Sequence, residues 1–513
     1  MRLEKIWHNW LGLAGRRSIA LAVVAWFALS NGALLALLRP WSQLEWSTWF
    51  CGYEAGRIAR NMLGGHGYSS PFYVFPGDNF SDTLPIPPLT PDHELLPAMP
   101  PPSGSAPGGP DAVSARPGPP PTAWITPPYV FLFYAVFKCF GTYSAASVVV
   151  IYLLQTAFMA AAIFGIWSLL MRVAGVRAAA VLLPIAVLYP PFWYFSIRDA
   201  HGTTLFICLT VLSLNCLARF LQSGGCRWLW GHAAFAVVAV LAEPASILAY
   251  VFLELLATWR LVPAAGWKAP RSWIRPGDRR GAARLWLALG VMAALVLGPW
   301  WLRNAVVFDR FIPLKSNLPM ELYYGNNPEA ETDMVAAHFS RLPTASHPER
   351  VLLHRLGETA FADLCRVRFM AYMKERPVAF MRMSLQRVIY FWSYNPFKKN
   401  PWRPALDILF HLLLALGLFG WLLPRRPALS WLDAACLGFL LLYPLAFYAS
   451  HFLIYRYRLP VEVILLIWVS LRAETLARLW EGGDGPVQSG RDSGAAAVRE
   501  THPAHAAKQI GTM

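Results

Sequence analysis

Charge is what this chain has least of. Asp, Glu, Lys and Arg make up 14% of its 513 residues, against about 25% in a soluble globular domain. That scarcity excludes an ordinary water-soluble body. Cysteine is sparse too: seven are scattered with no CxxC or Cys/His spacing, so neither a metal nor a redox signature is present. No Gly-rich phosphate loop stands in a strand–helix context, which removes a nucleotide-sugar site. No convincing internal repeat is visible, although a transporter built from paired halves would show one.

Apolar and aromatic residues fill the space. The chain is 56% hydrophobic, with 23 Trp and 30 Phe, and aromatics concentrate where a bilayer meets water. The net charge of +16 invites a nucleic-acid reading. It is rejected, because most of the Lys and Arg lie in short loops between apolar runs. The expected partner is therefore a lipid bilayer, with no nucleic acid.

The first apolar run, 19–38, is long enough to cross the hydrocarbon core. It follows Arg16-Arg17 and lacks a small-residue cleavage site, so an uncleaved span is expected. Further runs lie at 145–171, 178–195, 202–218, 229–242, 244–258, 285–302, 404–423, 431–449 and 459–476. Glu243-Pro244 divides one long run into a hairpin. The basic loops Arg172/Arg177, Arg219/Arg227, 260–284 and Arg425/Arg426 all fall on one side of this arrangement, as orientation by Lys/Arg bias requires. The expectation is an all-α polytopic protein of about ten spans with both termini cytoplasmic.

The expected organisation follows from these runs. Residues 1–18 form a cytoplasmic N-terminus. Residues 19–258 form a transmembrane core interrupted by an outer loop, 39–144. A basic cytoplasmic loop, 259–284, precedes a span at 285–302. An outer helical subdomain, 303–403, leads into C-terminal spans at 404–476 and a disordered cytoplasmic tail at 477–513. Within the first outer loop, 76–121 is dominated by Pro, Gly, Ser and Asp and is expected to be a disordered insertion. After it, Thr126 as N-cap, Pro127 at the first helical position and Gly141 as a stop predict a short interfacial helix. In the second loop, a helix is expected from Ser346 to about Glu375, broken at Arg376-Pro377 and followed by an amphipathic helix to about Trp392.

Candidate chemistry sits beside these spans. In a helix, Glu54, Arg57 and Asn61 share one face, where a carboxylate and a guanidinium can hold a base and an anionic phosphate. The plainer reading is a surface pair worth little. Arg198, Asp199 and His201 occupy a short turn between apolar helices. Asp199 is a second acidic candidate, able to share a divalent cation with Glu54 or to orient an acceptor. A solvated turn with an internal Arg–Asp pair explains it equally simply. Arg303 and Lys315 are phosphate-binding candidates, although an interfacial anchor also accounts for Arg303. Arg456 and Arg458 oppose the charge bias of their side, which a lipid phosphate would explain.

Taken in order, several segments resemble a family of bacterial polytopic glycosyltransferases. They are Gly52–Arg60, Gly65–Phe72, Thr122–Tyr129, Phe137–Gly141, Pro299–Asn304, Phe311–Asn317, Glu321–Asn327 and Arg456–Pro460. The family is the family 39-like group with the C-type glycosyltransferase fold, related to protein O-mannosyltransferases and the lipid A aminoarabinose transferase. The resemblance covers about 20–475, apart from the insertion. It implies transfer of a sugar from a polyprenyl-phosphate donor to a lipid, glycan or protein acceptor. The site would face the periplasm from the inner membrane. It also implies Glu54 and Asp199 as catalytic or metal-contacting carboxylates. The expected substrate-binding positions are Tyr53, Arg57, Asn61, His201, Arg303, Lys315, Glu321, Asn326, Arg456 and Arg458, although His201 reads more simply as a hydrogen-bonded helix-end residue and Asn326 also reads as turn chemistry. The group often has Asp, or an Asp-Glu pair, where this chain has Tyr53-Glu54. A transporter or lipid flippase is the competing expectation, with Glu243-Pro244 and Glu254 as its best support.

Overall fold

Runs of apolar residues broken by proline and glycine set the helix boundaries. The computed structural model describes residues 12, 15–39, 53–73, 118–197, 200–262, 279–343, 346–393, 403–422, 430–450 and 455–480. Most of the 76–121 insertion, the middle of the 259–284 loop, the tail beyond Trp480 and Asp199 lie outside them. The described residues are helical, with one isolated bridge between Ser69 and Pro121 and no strand.

The helices, in order, are α1 (Arg17–Leu38), α2 (Tyr53–Leu63), α3 (Pro127–Phe140), α4 (Ala145–Val173), α5 (Val176–Leu188), α6 (Pro190–Ile197), α7 (Thr203–Ser223), α8 (Cys226–Ala242), α9 (Ile247–Leu261) and α10 (Arg279–Phe308). There follow α11 (Leu318–Gly325), α12 (Met334–Arg341), α13 (His347–Leu356), α14 (Glu358–Glu375), α15 (Pro377–Trp392), α16 (Arg403–Leu422), α17 (Trp431–Leu442), α18 (Leu445–Ser450) and α19 (Tyr455–Trp480).

This is a multi-pass membrane protein. Among the described residues, six helical stretches are long and apolar enough to cross a bilayer: α1, α4, α7, α10, Pro244–Leu261 and Trp431–Ser450. A seventh results if α5 and α6 act as one span bent by 57°. Proline explains that bend, since Pro190 and Pro191 follow Tyr189 and cannot donate to the preceding turn. Three of the runs read as spans, those of α8, α16 and α19, are not among the qualifying stretches. For α8 the reason is length: 17 residues rise about 25 Å, short of a hydrocarbon core of about 30 Å.

Helix α19 is buried on all sides from Arg458 to Arg472 and runs through the centre of the bundle. Leu459, Ile464, Leu466 and Trp468 pack there with Leu182 of α5, Val211 of α7 and Leu432 of α17. A helix apolar all round is stable only with neighbours on every side. Its inward charges are paired. Arg458 Nη2 donates to Asp407 Oδ1 (2.5 Å) and its Nε to Glu462 Oε1 (2.9 Å), while Tyr189 Oη donates to Glu462 Oε2 (2.6 Å). Arg472 pairs with Asp433, whose other oxygen completes a capping box with Ser430.

The two long loops follow their punctuation. Helix α3 starts after Thr126 and stops at Gly141, whose φ is 92°. The continuous helix expected from Ser346 to Glu375 is instead two helices. Gly357, at φ 76°, ends α13 and begins α14, a left-handed backbone that a side chain would strain. Residues 68–72 pair with the last residues of the insertion: Ser70 N donates to Pro120 O (2.7 Å) and Thr122 N to Tyr68 O (3.2 Å). The insertion therefore leaves and rejoins the body at adjacent points, and closing even a long loop costs little more than closing a short one.

Candidate active site

Helix α2 brings Glu54 to the place where the two long loops meet. Its buried residues Ile58 and Ala59 pack against Val130, Phe133 and Phe137 of α3, which holds the helix on the bundle. Glu54, half-buried, accepts a hydrogen bond from the Trp124 indole N–H (2.9 Å, to Oε1).

Trp124 is itself fixed from several sides. Its ring meets Phe72 edge-on, with centroids 4.6 Å apart. Its backbone N–H donates to Thr122 Oγ1 (3.0 Å). Thr122 in turn is tied to Glu358, a buried carboxylate at the start of α14. Glu358 also accepts from the Ala123 amide (2.6 Å) and Ser316 Oγ (2.6 Å). Burial raises the Glu358 carboxyl above its ordinary value, while Ser316, Thr122, the Ala123 amide and Arg303 oppose that shift. One carboxylate thus joins three distant segments and sets the indole that grips Glu54.

Three further charged groups reach Glu54. Burial pushes its carboxyl upward, and Arg456, Lys315, the Trp124 indole and Arg57 pull it back without cancelling the shift. Glu321, in the first turn of α11, lies in the same field. Its carboxyl is pushed up to about 7 by burial and by the neighbouring Glu54 charge, against Lys315 and Arg456. Asn317 Nδ2 donates to Glu321 Oε1 (3.2 Å). Arg456, in the first turn of α19, has Nη1 2.7 Å from His201 Nε2 and Nη2 donating to Tyr457 Oη (3.0 Å). A guanidinium only donates, so His201 Nε2 is the acceptor in that contact.

Four chain segments far apart in sequence therefore place Glu54, Glu321, Lys315, Arg456 and His201 together. All five are half-buried, so the group remains open to solvent. Two carboxylates with raised affinity for protons beside two cations can exchange a proton with one ligand group and neutralise an anion on another.

The remaining expected positions are engaged in other contacts, although Arg57 is still near enough to lower the Glu54 carboxyl. Arg57 donates to Pro71 O (3.3 Å) and Asn61 to Ser70 O (2.9 Å), both fully buried, so they staple α2 to the 68–72 segment and do not share an open face with Glu54. Arg303 donates to Thr122 O (2.7 Å) and Tyr68 O (2.8 Å) and lies against the rings of Tyr68, Trp300 and Phe308. It braces the Trp124 loop. Asn326 bonds Leu322 O, Ala449 O and Arg387, closing the end of α11. Arg458 belongs to the buried α16–α19 ion network, not to the Glu54 group. The reason is helical geometry, since two residues along a helix turn a side chain by about 200°. Asp199 and the side chain of Tyr53 fall outside the described residues. Among the described residues, no three His, Cys, Asp or Glu side chains gather as metal ligands.

The Glu321 shift has a measurable consequence. A carboxyl raised in the folded protein from 4.5 to about 7 holds a proton that the unfolded chain releases. Its stabilising contribution is complete below pH 4.5 and is lost as pH rises through 7. Glu321→Gln should therefore flatten the fall in melting temperature between pH 5 and 8. Parallel curves for the two proteins would show that Glu321 titrates normally.

No protein-family model, no curated protein and no solved structure matches this chain.

Proposed function

We propose that the protein is a membrane glycosyltransferase of C-type architecture with about ten spans. It transfers a sugar from a polyprenyl-phosphate donor to an acceptor hydroxyl at the outer face of a bacterial inner membrane. One observation carries this reading: Glu54 and Glu321 converge with Lys315 and Arg456 in a half-buried group formed by both long loops and the start of α19. The resemblance of those segments to polytopic glycosyltransferases agrees with it.

The chemistry would run as a displacement. An acceptor oxygen attacks the anomeric carbon, and a carboxylate, Glu54, takes the hydroxyl proton. The bond from that carbon to the phosphate oxygen breaks, and the polyprenyl phosphate leaves with the electron pair. Charge develops on the departing phosphate, and cations already in place stabilise it without reorganising. Lys315 and Arg456 fill that role, with Arg456 oriented by His201 and Tyr457. Glu321, poised near neutrality, lets the group hold one proton between two carboxyls.

The test uses the purified protein in nanodiscs with a labelled polyprenyl-phosphate sugar and a membrane extract as acceptor source. Release of polyprenyl phosphate with sugar passed to an acceptor is the expected result. Arg456→Ala should weaken donor binding roughly tenfold to a hundredfold, the worth of one charge-assisted hydrogen bond of about 1.5–3 kcal/mol. A wild-type protein that neither binds nor turns over any such donor defeats the reading.

The transporter alternative has one observation of its own. His232 and Glu254 form a fully buried pair between α8 and α9 (2.9 Å), with Ser213 of α7 on the other imidazole nitrogen (2.9 Å). Ionisable residues inside a membrane often mark a transport path. Lipid or solute flux into proteoliposomes, abolished by Glu254→Gln, would favour it.

A further inference from the structure

Helix α15 wears its amphipathicity inside out. Its exposed residues include Val378 (78%), Met381 (69%), Leu385 (61%) and Ile389 (50%). Spaced by 3, 4 and 4, they form one continuous apolar stripe. Its buried face is Met383, Arg387 and Phe391. A helix facing water would carry charge on the outside, and α15 carries only Arg382 on that face. Both Arg382 and Arg376, just before the helix, are more than half exposed beside the stripe, and both pair with Glu331 (3.5 and 3.0 Å).

The neighbouring helix shows what covers the stripe. Trp392, at the end of α15, touches Phe410 of α16, with ring centroids 6.1 Å apart. Helix α16 presents its own exposed apolar row, Ile408, Leu412, Leu416 and Phe419, in a chain already seen to be multi-pass. Trp392 also donates to Tyr448 Oη (2.6 Å), placing two aromatics with polar tips at the junction, as at a membrane–water boundary. The α15 stripe and the α16 row are thus exposed apolar faces on two helices in contact.

We infer that α15 lies in the plane of the bilayer surface, with Val378, Met381, Leu385 and Ile389 in the acyl–headgroup boundary and the Arg376–Glu331–Arg382 cluster, which keeps a net positive charge, beside the headgroups. Such helices bury their apolar face about 5–10 Å deep. The consequence reaches the charged group. On the opposite face, Arg387 donates to Asn326 Oδ1 (3.0 Å) and to the Gly325 carbonyl, the C-terminal end of α11. Gly325 packs so tightly on the Ser450 carbonyl that a Cβ would collide with it. Glu321 lies one turn earlier on α11. Helix α15 therefore sets the height of Glu321 above the membrane, whatever reaction occurs there.

Photo-crosslinking tests this in the full-length protein. A benzophenone amino acid is placed singly at Met381, Leu385 or Ile389, with Ala336, exposed on α12, as the control. The protein is held in phosphatidylcholine–phosphatidylglycerol nanodiscs. Lipid adducts at the three stripe positions and none at Ala336 are expected. With the probe at Ile389, Met381→Glu/Leu385→Glu should lower the adduct yield roughly tenfold or more, because each side chain returned to water shifts docking by about that factor. Should that double variant not fold, the three single probes decide the matter. An absence of lipid adducts at the stripe positions, or yields equal to the Ala336 control, overturns the inference. So does a crosslinked dimer, which would assign the stripe to a second copy of the chain.

Discussion

Glu54→Gln is expected to lower sugar transfer about a hundredfold to ten-thousandfold, the range a general base contributes, while leaving the protein folded. The amide keeps the shape of the side chain, and its oxygen can still accept the Trp124 indole N–H that Glu54 accepts now at 2.9 Å. What disappears is the charge and the ability to take a proton. Burial already disfavours the ionised form of Glu54, so removing the charge should not lower the melting temperature. Donor binding should also survive, because Lys315 and Arg456 are untouched. Measuring turnover and donor affinity on the same preparation separates these effects. Near-normal turnover would remove Glu54 as the base and leave Glu321 or Asp199. Loss of donor binding in parallel would assign Glu54 to substrate positioning instead.

The second large effect is on stability. Arg458→Ala is expected to destabilise the fold by about 3–5 kcal/mol, as breaking a buried ion pair does. The guanidinium sits between Asp407 of α16 and Glu462 of α19, with all three side chains at most 5% exposed. Removing it leaves two carboxylates in the bundle interior without their compensating charge. Arg456, two residues earlier and half-buried, should behave in the opposite way: Arg456→Ala weakens donor binding and leaves stability nearly unchanged. Thermal unfolding in detergent for both variants decides the assignment. An Arg458→Ala protein with native stability and impaired donor binding would return Arg458 to the site.

The contrast between these two arginines illustrates what a linear reading reaches. Both are conspicuous for the same reason, a positive charge on the side where orientation bias disfavours it. Sequence spacing says that Arg456 and Arg458 face different directions. It does not say which of them meets Asp407, because that residue is some fifty positions away and its approach depends on how α16 packs against α19. Glu358 is not legible at all. It is a single acidic residue after a glycine, and its role arises only when Thr122, Ala123 and Ser316 are folded around it. Trp124 lies inside a segment that carries the family resemblance, yet nothing local marks its indole as the partner of Glu54.

The class of this protein and most of its punctuation follow from the linear chain. Low charge, long apolar runs and the Pro and Gly breaks are properties of contiguous residues, and the bilayer and the helical hydrogen-bond ladder respond to them locally. The start of α3 after Thr126, the break at Glu243-Pro244 and the start of α15 at Pro377 are all readable in this way. Which polar residues meet depends on how the helices pack. Glu54, Lys315, Glu321 and Arg456 come together across some four hundred residues of chain, and their proton affinities follow from burial and mutual charge, which depend on distances through space. The same holds for Arg57, Asn61, Arg303 and Asn326. Their residue types suit ligand binding, but in the folded chain backbone carbonyls accept from each of them.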